Sequence, residues 1–215
     1  GTPGEGPADF LSPGDLLINE ALTHQDDDTP GDWIELYNGS TSALDINGWF
    51  LSDDEDNLAM VELTGLPTIP SGGYLVLTEA SHFGTAVAGA SGFALSELGE
   101  GIYLSSGEGG ELTGYRVEYE FGAAERDVTF GRYVKSDGTA DFTAQSAQTS
   151  GAVNAYPLIG DVVVTEIMYH PPDTGGYEFV EICNRNSSSV PLYHTTYTSN
   201  TWKLEGAVEF TFPAG

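Results

Sequence analysis

The chain has 215 residues, 40% of them hydrophobic and 11% aromatic, which is enough for one sizeable core and part of another and too apolar for a disordered segment. Asp and Glu number 33 against six Lys plus Arg, a formal charge of −27, so nucleic acid and anionic lipid are disfavoured as partners on electrostatics alone. Cys183 is the single cysteine, which rules out an intrachain disulfide and a Cys-based zinc site, and no apolar run approaches the length of a membrane span.

Short apolar runs rich in β-branched and aromatic residues recur along the chain between Gly, Pro, Asn, Asp and Ser clusters, the pattern of an all-β sandwich or barrel. In chain order the predicted strands lie near Asp15 to Leu22, Asp32 to Asn38, Trp49 to Ser52, Ala59 to Leu63, Tyr74 to Thr78, Gly101 to Ser105, Tyr115 to Phe121 and Val128 to Tyr133. Thr85 to Leu98, small and apolar, reads as a loop or a short helical turn. A second series follows near Asp161 to Met168, Tyr177 to Asn184, Trp202 to Glu205 and Val208 to Phe212.

That second series repeats the first. Leu17-Ile18-Asn19-Glu20 and Asp32-Trp33-Ile34-Glu35-Leu36-Tyr37-Asn38 return, 146 residues later, as Val163-Val164-Thr165-Glu166 and Glu178-Phe179-Val180-Glu181-Ile182-Cys183-Asn184. A period of that length belongs to whole domains rather than to a solenoid. Leu44-Asp45-Ile46 answers to Val190-Pro191-Leu192, Trp49 to Trp202 after an insertion, and Ile69-Pro70-Ser71-Gly72 to Phe212-Pro213-Ala214-Gly215. Thr2-Pro3-Gly4 precedes the first copy much as Thr149-Ser150-Gly151 precedes the second. The expected organisation is a linker or tail of a preceding module over 1–14, a complete sandwich over 15–154, a linker over 155–160 and the first half of a second module over 161–215, all within a longer chain; any targeting signal is then expected outside it.

Two glutamates per copy stand out. Alternation places Leu16, Ile18, Glu20 and Leu22 on one face of the first strand, and Trp33, Glu35 and Tyr37 on one face of the next. A half-buried carboxylate must be paired, hydrogen-bonded, metal-bound or protonated, because leaving it bare costs several kcal/mol, on the order of the whole stability margin. Arg132 is the expected partner, through a bidentate ion pair with Glu20 or Glu35. The alternative is a calcium site built from Glu20 or Glu35 with Asp32, Asp53 or Asp54, since hard cations take several oxygen ligands. Asp26-Asp27-Asp28 and Asp53-Asp54-Glu55-Asp56-Asn57 fail as EF-hand loops and read as solvated tips. Cys183 replaces Tyr37 and reads as a core position, and Trp33, Trp49 and Trp202 read as core packing rather than a sugar platform. His24, His82, His170 and His194 are scattered, two short sequons begin at Asn38 and Asn186, and the motifs of nucleophilic, phosphoryl, zinc and dinucleotide chemistry do not occur, so no catalytic residue is assigned.

Ile18-Asn19-Glu20, Asp32 to Asn38, Leu44 to Asp53, Ile69-Pro70-Ser71-Gly72-Gly73-Tyr74, Phe130-Gly131-Arg132-Tyr133 and Asp137-Gly138 together resemble a lamin-tail domain over roughly Leu16 to Asn154. Val163 to Gly215, with Thr165-Glu166-Ile167-Met168-Tyr169-His170-Pro171-Pro172, is similar to the first half of another, of the kind found in large secreted bacterial proteins, sometimes beside a spore-coat-protein-H-like kinase. The resemblance implies an immunoglobulin-like β-sandwich, a module without catalysis of its own, and an extracellular or cell-surface setting. A structural or adhesive module follows as the expected function, with the unfinished second sandwich inviting strand complementation by a neighbouring protein chain and growth of a filament. The alternative is an accessory region, calcium-binding or not, of a larger secreted kinase-like or hydrolytic enzyme. Fold alone names no ligand.

Overall fold

Strand formation follows the apolar periodicity in the computed structural model, which describes residues 15–23, 25, 31–171, 176–206 and 208–215. The chain divides into two units, Gly1–Leu158 and Ile159–Gly215.

In the first unit β1 (Leu16–Leu22), β2 (Trp33–Asn38), β5 (Tyr74–Thr78), β8 (Phe130–Val134) and β9 (Ala140–Ala144) form one sheet in the order β5-β2-β1-β8-β9. A second sheet holds β3 (Phe50–Ser52), β4 (Val61–Glu62), β6 (Glu100–Glu108) and β7 (Glu111–Phe121) in the order β4-β3-β6-β7. All pairings are antiparallel. Ile18, Ala21, Ile34, Leu36, Leu77 and Phe130 of the first sheet share one buried core with Leu51, Val61, Ile102, Leu104 and Phe121 of the second, as expected of an immunoglobulin-like sandwich. Tyr115 ties the layers directly, its hydroxyl donating to the Leu16 carbonyl at 2.7 Å.

All eight strands expected for the first copy are present, and β9 is an addition. Ala140-Asp141-Phe142-Thr143-Ala144 is too short of large apolar residues to announce itself. The hairpin to β8 is written in Asp137-Gly138, where Gly138 takes φ 86° and Thr139 N donates to Asp137 Oδ1 at 2.9 Å. The ambiguous stretch Thr85 to Leu98 opens with an α-helical turn Thr85–Ala88 and a 3-10 turn Gly89–Ser91, and a π-helical turn Glu79–Phe83 that the sequence did not announce precedes it, with Phe83 stacked on Phe93 at 4.9 Å.

The second unit contains β10 (Val162–Met168) paired with β11 (Phe179–Asn184), and β12 (Lys203–Leu204) paired with β13 (Phe210–Thr211). Local bonds recur at the repeat offset: Asn184 Nδ2 donates to Ser188 O at 2.8 Å as Asn38 Nδ2 does to Ser42 O at 2.7 Å. Phe212 N donates to Trp202 O at 3.0 Å as Leu63 N does to Trp49 O at 2.7 Å, so the spatial counterpart of Phe212 is Leu63 rather than Ile69. Trp33 and Trp49 are buried, whereas Trp202 is half exposed and Cys183 is exposed, against the expectation of core positions for both. Cys183 lies opposite Val163 on the face that also carries Glu181, just as Tyr37 shares a face with Glu35.

Candidate functional site: a strapped carboxylate pair

The β1–β2 ladder pairs Leu16 with Asn38, Leu17 with Tyr37 and Ile18 with Leu36, then resumes with Glu20 opposite Glu35 and Ala21 opposite Ile34. Asn19 is the extra residue of a β-bulge, and inserting one residue reverses the facing of all that follow. Leu16, Ile18 and Ala21 therefore enter the core, while Glu20 and Leu22 turn to the outer face with Leu17, Trp33, Glu35 and Tyr37. The single alternation expected for Leu16, Ile18, Glu20 and Leu22 is broken for that reason.

Glu20 and Glu35 face one another across this ladder, both at 0% exposure. What covers them is the segment after β9. Thr149 donates its N–H to Glu20 Oε1 at 3.0 Å and its hydroxyl to Oε2 at 2.7 Å, and Thr129 Oγ1 adds a bond to Oε1 at 2.6 Å. Gly151 N–H donates to Glu35 Oε2, and Asn19 Nδ2 to Oε1 at 2.8 Å. Asn154 locks the strap further on, accepting from Asn19 Nδ2 at 2.7 Å and donating to the carbonyls of Asn19 at 2.8 Å and Arg132 at 3.0 Å. The bulge residue thus bonds both a carboxylate and the strap.

Gly131 sits beneath the strap because no side chain fits there. A Cβ at that position would lie 2.9 Å from Asn154 Nδ2 and 2.9 Å from Gln145 Cγ. Gly151 takes φ 81°, a left-handed conformation that presents its N–H to Glu35 and that other L residues enter at a cost of about 1–2 kcal/mol. Charge-assisted bonds are worth about 1.5–3 kcal/mol each, so the donors on the pair are of the size needed to offset its desolvation. Glu35 has two donor groups where Glu20 has three, and burial raises the Glu35 carboxyl above its usual range, opposed by the bonds from Gly151 and Asn19 and reinforced by the Glu20 charge.

Arg132 plays no part in neutralising either carboxylate. Gly131 pairs with Glu20 and Phe130 with Ala21, so Arg132 falls on the core-side parity with Phe130 and Phe142, away from the glutamates. Its Nε is buried without a hydrogen-bond partner. The expected ion pair is replaced by neutral donors because the bulge moved Glu20 to the other side of the sheet.

The carboxylates proposed for calcium do not converge either. Among the described residues no three of His, Cys, Asp and Glu are grouped to hold a metal ion. Asp32 accepts from Leu95 N at 2.6 Å, anchoring the loop ahead of β6. Asp53 and Asp54 belong to the turn after β3, where Asp54 Oδ1 accepts from Asp56 N at 2.9 Å and an open depression is lined by Asp53, Asp54, Glu55, Asp56 and Glu120. Burial raises the Asp53 carboxyl, with the Asp54 charge adding to it, and the Glu100 carboxyl is raised mainly by burial, with Asp53 contributing. His82 Nδ1 accepts from Thr78 N at 2.9 Å and burial lowers its pKa, while His194 Nδ1 accepts from Thr196 N and Tyr197 N. His24 and Asp26-Asp27-Asp28 lie outside the described residues, as does the 1–14 segment.

Thr129, Thr149, Gly151, Asn154 and the bulge at Asn19 are the functional contacts that sequence reasoning did not assign. Thr149-Ser150-Gly151 was visible as a recurrent linker motif, but nothing local says that a linker folds back on β1 and β2.

Neither a curated protein nor a solved structure matches the chain. The family model of the Lamin Tail Domain matches residues 11–120, which takes in β1 to β6 and most of β7 and stops short of β8, β9 and the strap. With that match over half of its length and an immunoglobulin-like sandwich to carry it, the chain belongs to the lamin tail domain family.

Proposed function

We propose that the chain is a non-catalytic structural module of a secreted or cell-surface bacterial protein, and that its second unit assembles with a neighbouring protein chain by strand complementation. The observation that carries this reading is the apolar face of the second unit. Ile167, Val180 and Ile182 occupy the repeat positions of Ala21, Ile34 and Leu36, which are core in the first unit. In the second they line, with Leu204, Phe210 and Phe212, a groove of about 590 Å³, and Ile167 and Phe210 are at least half exposed. An apolar surface of this kind marks an interaction site, and unpaired strand edges beside it offer main-chain bonds to an added strand. The outer edge of β11 is the repeat equivalent of the edge of β2 that β5 occupies.

The buried carboxylates support the non-catalytic part. Acid–base or glycosidic chemistry needs carboxylates that a substrate can reach, and Glu20 and Glu35 are sealed under the strap. The acidic surface suits saline or cation-rich surroundings, which screen its self-repulsion. Sedimentation velocity of the full chain across a concentration series, paired with Ile182→Asp, tests the assembly. Concentration-dependent association lost in the variant supports the reading; a folded monomer at every concentration overturns it.

A further inference from the structure

The second sheet of the first unit ends on an open edge. β7 is 11 residues long, and in the order β4-β3-β6-β7 no strand among the described residues pairs with its outer side. Tyr115 turns its main-chain groups inward to β6, its N–H donating to Ser106 Oγ at 2.9 Å and its carbonyl accepting from the same hydroxyl at 3.3 Å. The register with β6 runs unbroken from Arg116 to Phe121, so by alternation Val117 and Tyr119 also bond toward β6, while Arg116, Glu118 and Glu120 present their N–H and carbonyl groups at the edge. An edge of this kind is a template for an added strand.

The side chains along that edge define what the added strand must carry. Val117 and Tyr119 pack against the core, which leaves Arg116, Glu118 and Glu120 on the outer face of the sheet. Glu118 stands opposite Tyr103, and Glu120 opposite Gly101. The Tyr103 ring lies over Gly101, where a Cβ would come within 2.5 Å of the hydroxyl oxygen, so the residue is only 7% exposed and its hydroxyl is laid beside Glu120. Arg116 covers that ring, its guanidinium carbon 5.9 Å from the centroid, and pairs with Glu118. The hydroxyl has no hydrogen-bond partner among the described residues, and it faces a depression of about 530 Å³ walled by Asp53, Glu55, Asp56 and Glu120. Burial raises its pKa, with the charges of Glu55, Glu120 and Glu118 adding to the rise and Arg116 opposing it. No three of these acids are grouped to hold a metal ion, so the cation that suits their spacing is one carried on a long side chain.

We infer that the edge of β7 binds an extended basic segment of a partner protein, which adds to the sheet as an antiparallel strand and lays arginine or lysine side chains against Glu118 and Glu120. Residues directly opposite one another in such a ladder share a face, so the two partner residues opposite Glu120 and Glu118 both point to the outer face. The one opposite Glu120 extends past it to the Tyr103 hydroxyl and the carboxylates of the depression. Arg116, beside Glu118 and over the same ring, already shows how a guanidinium is held there. The partner residue opposite Arg116 is acidic. Net charge selects this occupant over a second copy, because −27 on each chain opposes self-pairing and attracts a basic segment. The contact lies on the first unit and stands independently of the assembly of the second.

The test titrates the full chain with the capped peptide acetyl-Arg-Val-Arg-Val-Glu-amide, whose arginines fall opposite Glu120 and Glu118 and whose glutamate falls opposite Arg116. At saturation the amides of Arg116, Glu118 and Glu120 are expected to exchange with solvent about tenfold more slowly or better, while those of Val117 and Tyr119, already turned to β6, do not change. The same peptide N-methylated at its second arginine keeps every charge but loses one main-chain donor, and is expected to bind about tenfold more weakly. Glu120→Gln is expected to weaken binding about fivefold and Tyr103→Phe about threefold. Glu62→Gln makes the same change of net charge on β4, at the opposite edge of the sheet, and leaves binding within about twofold. Equal binding of the N-methylated peptide, or no slowing at the three amides, overturns the strand addition and leaves only the attraction of a basic peptide to an acidic surface. Slowing of those amides with protein concentration alone, in the absence of peptide, overturns the choice of partner in favour of a second copy.

Discussion

Glu20 and Glu35 occupy opposed positions on adjacent strands, both sealed from water, and both hold hydrogen bonds from uncharged donors rather than ion pairs. The arrangement makes the carboxylate pair the anchor of the segment that leads from β9 to Leu158, so the outer sheet face and the last segment of the first unit are one structural device. Its energetics are lopsided in a testable way.

Burial lifts the Glu35 carboxyl above its unfolded value, so the folded state binds that proton more tightly than the unfolded state does. The sign follows: this group's contribution is most favourable below the unfolded pKa and is lost as pH rises through the folded one. Glu35→Gln is therefore expected to flatten the stability–pH curve between mildly acid and neutral pH, with little loss of stability at neutral pH. Urea unfolding of both proteins across that range measures it, and an unchanged curve in the variant contradicts the assignment.

Removing strap donors should open the strap before it unfolds the sandwich. Thr149→Val loses the hydroxyl bond to Glu20 Oε2 and is expected to cost about 1.5–3 kcal/mol. Gly151→Pro loses the N–H to Glu35 in a backbone conformation, φ 81°, that proline cannot adopt, and should cost more. Hydrogen exchange reports where the loss falls: amides of residues 145–158 should deprotect while those of β2 and β6 keep their protection.

Gly131→Val places a side chain where Asn154 Nδ2 and Gln145 already pack. The expected cost is about 1–3 kcal/mol with faster exchange along the strap, as for overpacking elsewhere. An unperturbed strap in this variant would mean that Asn154 is not held over Gly131.

Arg132→Met separates the two accounts of the glutamates. Breaking a buried ion pair by removing one partner costs about 3–5 kcal/mol, whereas replacing a half-buried Arg with an unpartnered Nε by an apolar chain of similar length is expected to change stability by about 1 kcal/mol or less. Thermal or urea unfolding decides between them.

Calcium should leave the melting temperature of the first unit unchanged, because the oxygens of Glu20 and Glu35 are engaged and Asp32, Asp53 and Asp54 lie at other places on the sandwich. A saturable shift at sub-millimolar calcium, abolished by Glu20→Gln, would overturn this.

The sequence by itself determined the strands and the need to satisfy two buried carboxylates. Apolar periodicity and turn residues are local, and Leu16 to Leu22, Trp33 to Asn38 and Tyr74 to Thr78 sit where the pattern puts them. It also announced the family, through motifs spread along the whole first copy. What neutralises the glutamates was decided only in three dimensions. A bulge is one uncounted residue, and the extra residue at Asn19 turned Glu20 away from Arg132 and toward a face that a distant linker covers. Thr149 lies 129 residues from Glu20 in sequence, and Gly151 lies 116 from Glu35. Contacts at that separation follow from sheet order and chain return, which no local pattern encodes, and so the two carboxylates were legible while the strap that holds them was not.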